Sequence, residues 1–342
     1  MEHKHVHAHI LTKDRFAEFI NILKAEGEVV APKITGFDIA YVPIENAAEI
    51  DLSKIPLDSP KTYVFPITEE VFEVKENKIT AAVQSKKRIL FGARSCDIAA
   101  FRCLKKFFRD YFTEGKISDP YFTEKMDKLM IIAYNCTEPK EHCFCVAMGT
   151  GPFAEFDFDL AITDLGDVYL VELGSQKCEK IIQDLALPVA SFEDLERREE
   201  LKEQCIKKMN VDFKAEGIEK IIHKNIDTVS QKHGAKCIQC GGCNFFCPTC
   251  SCFNMSDTDY GKAIVRERFW DSCMLRGFTS LAGVGFERET LDAMMKQRLM
   301  HKLSYTKEHF NLYSCTGCGR CSQVCPSSIF MEDMVKDILG GQ

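Results

Sequence analysis

Two copies of one cysteine pattern lie near the C-terminal end of the chain. The first run is CIQCGGCNFFCP, from Cys237 to Pro248, and the second is CTGCGRCSQVCP, from Cys315 to Pro326. Each reads Cys-x2-Cys-x2-Cys-x3-Cys-Pro, the spacing that holds 4Fe-4S clusters. A zinc site of four thiolates favours two separated Cys-x2-Cys pairs instead. The two runs therefore predict two 4Fe-4S clusters and a chain that carries electrons.

In this pattern the last cysteine of each run commonly binds the cluster of the other run. Glycines between the cysteines let backbone N–H groups approach the charged sulfurs. We therefore expect one cluster to be held by Cys237, Cys240, Cys243 and Cys325, and the other by Cys315, Cys318, Cys321 and Cys247.

A second group of cysteines follows two apolar stretches of strand length. KRILFGARSC ends at Cys96 and KLMIIAYNC ends at Cys136, and HCFC then supplies Cys143 and Cys145. Parallel neighbouring strands would direct the first two thiols to one edge of the sheet, where ligands bind in open α/β folds. The four thiols predict a third 4Fe-4S cluster, although buried free cysteines are the alternative interpretation of the spacing.

Six further cysteines lie outside these sets. Cys250, Cys252 and Cys273 either ligate something further or pack as thiols near the clusters. Cys103, Cys178 and Cys205 stand singly in the sequence and are expected in the core.

Composition narrows the class of protein. The chain has 342 residues, of which 45% are hydrophobic and 28% charged, enough for two ordinary domains. Its net charge of -7 argues against nucleic-acid binding, which needs a positive surface. No apolar run is long enough to span a membrane, and the first residues lack the apolar region of a secretory signal. Because cluster ligation needs free thiolates, the 18 cysteines predict a reducing, cytoplasmic location.

The pattern of apolar residues predicts two kinds of structure along the chain. Short apolar runs begin at Thr62, Arg88, Leu129 and Val168 and predict strands, with a helix between Asp97 and Phe112. We expect an α/β N-terminal domain over residues 1–190, a charged helical connector over 191–236, and a mostly α-helical, ferredoxin-like domain with two clusters over 237–342.

The motifs together resemble one family. FGARSCDIAA, NCTEPKEHCFC, FDFDLAITDLGDVYLVELGS, RERFWDSC and the two runs are similar to the β subunit of soluble sulfhydrogenases and to the related iron–sulfur subunit of anaerobic sulfite reductase. The resemblance covers most of the chain from about Lys87 onward. It implies a cluster at Cys96, Cys136, Cys143 and Cys145, which match cysteines of that family.

This resemblance also implies partners. The family's electron-transfer subunits work with a flavoprotein that binds FAD and NAD(P), and with a hydrogenase or sulfite reductase as the catalytic subunit. The chain itself carries no Gly-x-Gly-x-x-Gly helix start and no Walker loop, so we expect it to bind no flavin or nicotinamide. We predict a non-catalytic electron-transfer subunit; the alternative is an enzyme subunit that binds a small substrate at an open iron or cysteine site.

Overall fold

A computed structural model describes residues 8–36, 38–83, 85–110, 117–283 and 285–340. The strands are β1 Ala8–Thr12, β2 Glu28–Thr35, β3 Asp38–Pro43, β4 Thr68–Lys75, β5 Lys78–Ala81, β6 Arg88–Ala93, β7 Leu129–Tyr134, β8 Leu160–Asp164, β9 Val168–Leu173, β10 Phe253–Asp259, β11 Ile264–Trp270, β12 Ser280–Leu281 and β13 Gly285–Phe286. The α-helices are α1 Phe16–Glu26, α2 Ser95–Lys105, α3 Pro120–Asp127, α4 Cys145–Met148, α5 Glu179–Asp184, α6 Phe192–Met209, α7 Ile218–Gly234, α8 Gly242–Phe245, α9 Leu291–Met300, α10 Thr306–Phe310, α11 Arg320–Gln323 and α12 Met331–Leu339.

The N-terminal part is built on a seven-stranded sheet in the order β1-β9-β8-β7-β6-β2-β3. Its centre is parallel, because β6 pairs in parallel with both β2 and β7, and β7 with β8. The outer pairs are antiparallel. Parallel β6 and β7 end at the same edge, so the chain segments that follow them start side by side.

Both faces of this sheet are covered, which explains why the central strands are apolar throughout. Ile89 and Phe91 of β6 pack with α1 and α5 on one face, whereas Leu90 packs with α2 and α3 on the other. Because successive side chains of a strand point to opposite faces of the sheet, β6 contributes side chains to two separate cores. The predicted strands at Arg88, Leu129 and Val168 are confirmed.

The predicted helix after β6 is also present, and it begins two residues earlier than expected. α2 spans Ser95–Lys105 and continues as a π-helical turn over Lys106–Asp110. The last two residues of the predicted helix, 111 and 112, lie outside the described residues.

The C-terminal part has a helical core. α7, α9 and α12 pack together through buried residues such as Ile222, Leu299 and Val335. The apolar positions of α7 recur at helical spacing, with Ile218, Ile222 and Ile226 all buried. The predicted fold class, an α/β region followed by a mostly helical region, is confirmed.

One expected strand is wrong. The stretch that begins at Thr62 forms no strand: its first two residues end a 3-10 turn, Pro60–Tyr63, and turn and bend follow. The 3-10 turn begins with a proline, and the preceding Ser59 accepts a hydrogen bond from the Lys61 amide. Proline at the first helical position and a serine cap favour a helical turn over a strand.

A second sheet, β10-β11-β4-β5, joins the two parts of the chain. β4 comes from the N-terminal part and pairs antiparallel with β11 from the C-terminal part. The domain boundaries at residues 190 and 236 remain predictions. The β4–β11 pairing joins residues that lie on opposite sides of both boundaries. No helix in the described part of the chain is both long and apolar enough to cross a bilayer.

Candidate metal centres

The first cysteine run and the end of the second run meet at one cavity, here called the first cavity. Cys237, Cys240 and Cys243 line it together with Cys325. Most of its other walls are apolar, from Ile238, Met274, Met295, Ile329 and Met334. The fold therefore brings together the four thiols that the sequence assigned to one cluster.

A second cavity receives the complementary set. Cys315, Cys318 and Cys321 line it together with Cys247, the last cysteine of the first run. Each cavity is thus lined by the first three cysteines of one run and the last of the other, and Cys321 of the second run also lines the first cavity.

The two runs share one backbone shape. Positive φ angles occur at Gln239 and Gly241 in the first run, and at Gly317 and Gly319 in the second. A one-turn helix then follows in each, α8 or α11. An added Cβ at Gly317 would lie 2.6 Å from the Cys145 amide nitrogen, which is why glycine is needed there.

A buried arginine lies between the two cavities. Arg298 and Cys321 line both of them, so the cavities share a wall. The Arg298 side chain donates to the Asn244 amide oxygen, but among the described residues its buried Nη2 has no hydrogen-bond partner. A buried, unmatched cation calls for an anion beside it. A cluster held by four thiolates would supply that negative charge, so the residues present fit such a group.

A buried lysine contacts the second cavity directly. Lys302 Nζ lies 3.1 Å from Cys247 Sγ and 3.1 Å from Thr249 Oγ1. Burial opposes ionisation of the Cys247 thiol, but the Lys302 charge, a hydrogen bond with Thr249 and the Lys61 charge together lower the pKa of Cys247 to about 7. In contrast, burial raises the pKa of Cys243 and of Cys315 to about 12.

The third cysteine group, Cys96, Cys136, Cys143 and Cys145, gathers beyond the carboxyl edge of the large sheet. Cys96 lies in the first turn of α2 and Cys136 follows β7, as the parallel pairing of β6 and β7 requires. Burial, and then the neighbouring Cys136 and Cys143, raise the pKa of Cys145. The four thiols are thus brought near one another. Within the described ranges, no three His, Cys, Asp or Glu side chains are arranged to hold a single metal ion.

The third group packs against the second run. The Phe144 amide donates to the Gly317 carbonyl at 2.8 Å, and Cys143 Sγ lies 3.8 Å from the Cys318 carbonyl oxygen. This contact makes the third group and the second cavity immediate neighbours.

A buried ion pair ties these neighbours together. Arg320, between Cys318 and Cys321, donates to both carboxylate oxygens of Asp97 at 2.6 and 3.2 Å. Asp97 directly follows Cys96, and both charged side chains are at most 1% exposed. A bidentate pair of this kind fixes orientation as well as position.

A second buried arginine lies beside the third cysteine group. Arg94 Nη1 lies 3.9 Å from Cys136 Sγ, and its Nε is buried without a hydrogen-bond partner among the described residues. The third group therefore has its own cation, as the two cavities have Arg298 and Lys302.

Sequence reasoning missed one neighbour of this group. Cys205, expected as an isolated core residue, is fully buried beside Cys136, and Met209 of the same helix contacts Cys145 at 3.8 Å between sulfurs. The i, i+4 spacing of Cys205 and Met209 on α6 was the available signal. Cys178 and Cys103 line neither cavity: Cys178 packs on Met130, and Cys103 donates to the Tyr313 carbonyl.

Cys250, Cys252 and Cys273, here called the thiol triad, line neither cavity. Hydrogen bonds from Cys252 lower the pKa of Cys250 to about 5 and that of Cys273 to about 7. The same hydrogen bonds raise the pKa of Cys252. The triad is thus distinct from the thiol sets that line the two cavities.

Comparison with known proteins adds two findings. Residues 236–329 match the family model described as "4Fe-4S dicluster domain", which implies two 4Fe-4S clusters in that segment. Sulfhydrogenase 2 subunit beta of Pyrococcus furiosus is 31% identical over 343 residues, covering 97% of this chain and 98% of that protein. No solved structure matches the chain.

Proposed function

The chain belongs to the family of sulfhydrogenase β subunits, and on that premise we propose that it relays single electrons between a flavoprotein subunit and a catalytic subunit. The flavoprotein binds FAD and NAD(P), and the catalytic partner is a hydrogenase or a sulfite reductase. Bound 4Fe-4S clusters supply one-electron carriers, whereas a flavin is needed to divide the two electrons of a hydride. The chain's own residues hold these carriers, space them and balance their charge.

One observation carries the proposal. The first and second cavities have complementary cysteine sets and a common wall at Cys321 and Arg298. Two one-electron carriers seated there would be neighbours, which is the arrangement that a relay requires. The 4Fe-4S dicluster match over the same segment supports this assignment.

We further propose the ligand sets given by the sequence, in which the runs exchange their last cysteines. Cys247→Ser should then remove the cluster of the second cavity and spare that of the first, and Cys325→Ser should do the reverse. Electron paramagnetic resonance of the reduced protein distinguishes the two clusters. Loss confined to the first cluster in Cys247→Ser would contradict the exchange.

A third 4Fe-4S cluster is proposed at Cys96, Cys136, Cys143 and Cys145. The burial of Cys96, Cys136 and Cys145, the contact of Cys143 with the second run and the arginine beside Cys136 support it. Three clusters correspond to about twelve irons per chain and two clusters to about eight. We expect about twelve in protein purified without oxygen, about eight in Cys136→Ser, and no change in Cys178→Ser, whose sulfur packs on Met130.

The proposed partner is tested by reduction kinetics. In the complex with its flavoprotein, NAD(P)H should reduce the clusters quickly, whereas the isolated chain should not respond. Equal reduction of the chain alone would overturn the relay. We also propose a cytoplasmic location, because the 18 cysteines must stay reduced.

A further inference from the structure

The wall between the first and second cavities carries one buried cation without a counter-charge. Arg298 lies on α9, is 3% exposed and lines both cavities. Among the described residues its Nε donates to Asn244 Oδ1 at 3.3 Å, its Nη1 lies 3.5 Å from Met331 Sδ, and its buried Nη2 has no hydrogen-bond partner. None of these contacts supplies a carboxylate. Because arginine stays protonated in proteins, the positive charge in this wall is permanent.

Asn244 holds this arginine from the first cysteine run. It lies in α8, is buried, and donates from Nδ2 to Ser272 Oγ at 3.0 Å and to Cys273 Sγ at 3.1 Å. Because these two acceptors occupy the amide nitrogen, the amide oxygen is left to accept from Arg298. An asparagine at this place therefore orients the guanidinium and leaves its charge uncompensated.

Two other buried arginines show how the chain treats such a charge elsewhere. Arg268 forms an ion pair with Glu69, and Arg320 forms one with Asp97. The charge of each is compensated inside the protein. A buried cation without such a partner is destabilising unless an anion lies beside it. The position of Arg298 in the wall of both cavities is therefore explained by negative charge in both.

We infer that Arg298 is a counter-charge shared by the clusters of both cavities, which raises their reduction potentials together, and that Asn244 is the residue that positions it. The inference rests on the two-cluster relay proposed above. A cluster that accepts one electron becomes more negative, so a permanent positive charge in the common wall stabilises the reduced form of either cluster. When an electron passes from one cluster to the other, the guanidinium keeps its proton and no proton moves. Lys302 differs, because it lines the second cavity and not the first.

The test is a redox titration of the full chain, purified without oxygen and reduced with dithionite, in which electron paramagnetic resonance follows each cluster. In Arg298→Met the ratio of reduced to oxidised form at a fixed ambient potential should fall at least tenfold for both clusters, a shift of about 59 mV for one electron. Arg298→Lys keeps a positive charge and should recover most of that shift. Lys302→Met should lower the ratio mainly for the cluster of the second cavity. A shift confined to one cluster in Arg298→Met, or equal shifts in the Met and Lys variants, would overturn the inference.

A second variant tests the same charge without removing the arginine, and it decides the case if Arg298→Met fails to bind iron. Asn244→Asp keeps the shape of the side chain and places a carboxylate where the amide oxygen accepts from Arg298. It should lower both potentials. The matched control is Asn225→Asp on α7, because Asn225 lines neither cavity and donates to the Ile338 carbonyl; both potentials should stay unchanged.

Iron analysis separates the two levels of the argument. Unchanged potentials in Asn244→Asp at native iron content would overturn the shared counter-charge and leave the relay standing. A native chain with fewer than about eight irons would overturn the two-cluster relay, and the role of Arg298 with it.

Discussion

At the residue scale, the surroundings of each cysteine decide how readily it ionises. Cys247 and Cys315 both line the second cavity, yet Lys302 lowers the pKa of Cys247 to about 7 while burial raises that of Cys315 to about 12. The largest of the lowering influences on Cys247 is the Lys302 ammonium group, 3.1 Å from its sulfur, and Thr249 and Lys61 add to it. At neutral pH, a metal that binds Cys315 would have to displace a proton from the thiol, whereas the Cys247 thiol is already partly ionised.

Lys302 should therefore tune the second cluster. Lys302→Met removes a positive charge that favours the more negative, reduced state, so the reduction potential should fall. A unit charge at 4 Å contributes about 4 kcal/mol at an effective dielectric constant of 20, an upper bound of roughly 170 mV for one electron. A redox titration followed by electron paramagnetic resonance measures the shift. Lys302→Arg keeps the charge and should leave the potential nearly unchanged; an equal fall in both variants would contradict the electrostatic role.

The ion pair of Arg320 and Asp97 gives a second residue-scale prediction. Asp97→Asn leaves a buried guanidinium without its counter-charge, which typically costs about 3–5 kcal/mol. Urea unfolding of the cluster-loaded protein measures the loss. The matched control is Asp227→Asn, which breaks an ion pair with Lys296 whose side chains are 71% and 46% exposed. That control should lower the free energy of unfolding by at most about 1 kcal/mol. A similar loss in both variants would show that the buried pair stabilises the protein no more than an exposed pair does.

At the scale of elements, the two runs differ in what lies against them. The third residue of each run has a positive φ, 59° at Gln239 and 61° at Gly317. Glycine is required only in the second run, because the backbone of Phe144 and Cys145 leaves no room for a Cβ at Gly317. The second run is thus clamped against Phe144 and Cys145 at a position where the first run carries a side chain.

This contrast makes a paired prediction. Gly317→Ala should destabilise the protein by more than about 1–2 kcal/mol, since the left-handed backbone conformation is disfavoured and the new Cβ meets backbone atoms. It should also lower the iron content by displacing the segment that carries Cys143 and Cys145. Gln239→Ala at the equivalent position should change neither unfolding nor iron content. Equal effects of the two substitutions would contradict the clamp.

Local patterns in the sequence predicted much of this arrangement. The cysteine spacing within each run and the apolar stretches that form β6 and β7 are local patterns. The cluster sites and the central strands could therefore be predicted from the sequence alone. The β4–β11 pairing joins residues almost 200 positions apart, so no local pattern in the sequence could predict it. The same holds for Lys61 and Lys302, whose places beside Cys250 and Cys247 depend on long-range packing.

At the scale of the whole molecule, the three cysteine sites form a series. The first cavity shares a wall with the second, and the second run contacts the third group. The second cavity is therefore in the middle. Cys240, at the mouth of the first cavity, is exposed, and neighbouring Ile238 is 64% exposed. A series with one end at the surface suits a subunit that passes electrons to another protein.

We therefore expect a redox partner to dock over Ile238. Because Ile238 also lines the first cavity, the comparison uses only preparations of Ile238→Glu that keep the native iron content; in these the new surface charge should weaken partner binding at least tenfold, about 1.4 kcal/mol. Isothermal titration calorimetry with the partner subunit measures the affinity, and metal analysis checks the clusters. The control is Ile79→Glu, because Ile79 is 72% exposed on β5 in the other sheet. If both variants bind the partner as the native chain does, electrons leave through another face; if both weaken binding, Ile238 does not mark the docking surface.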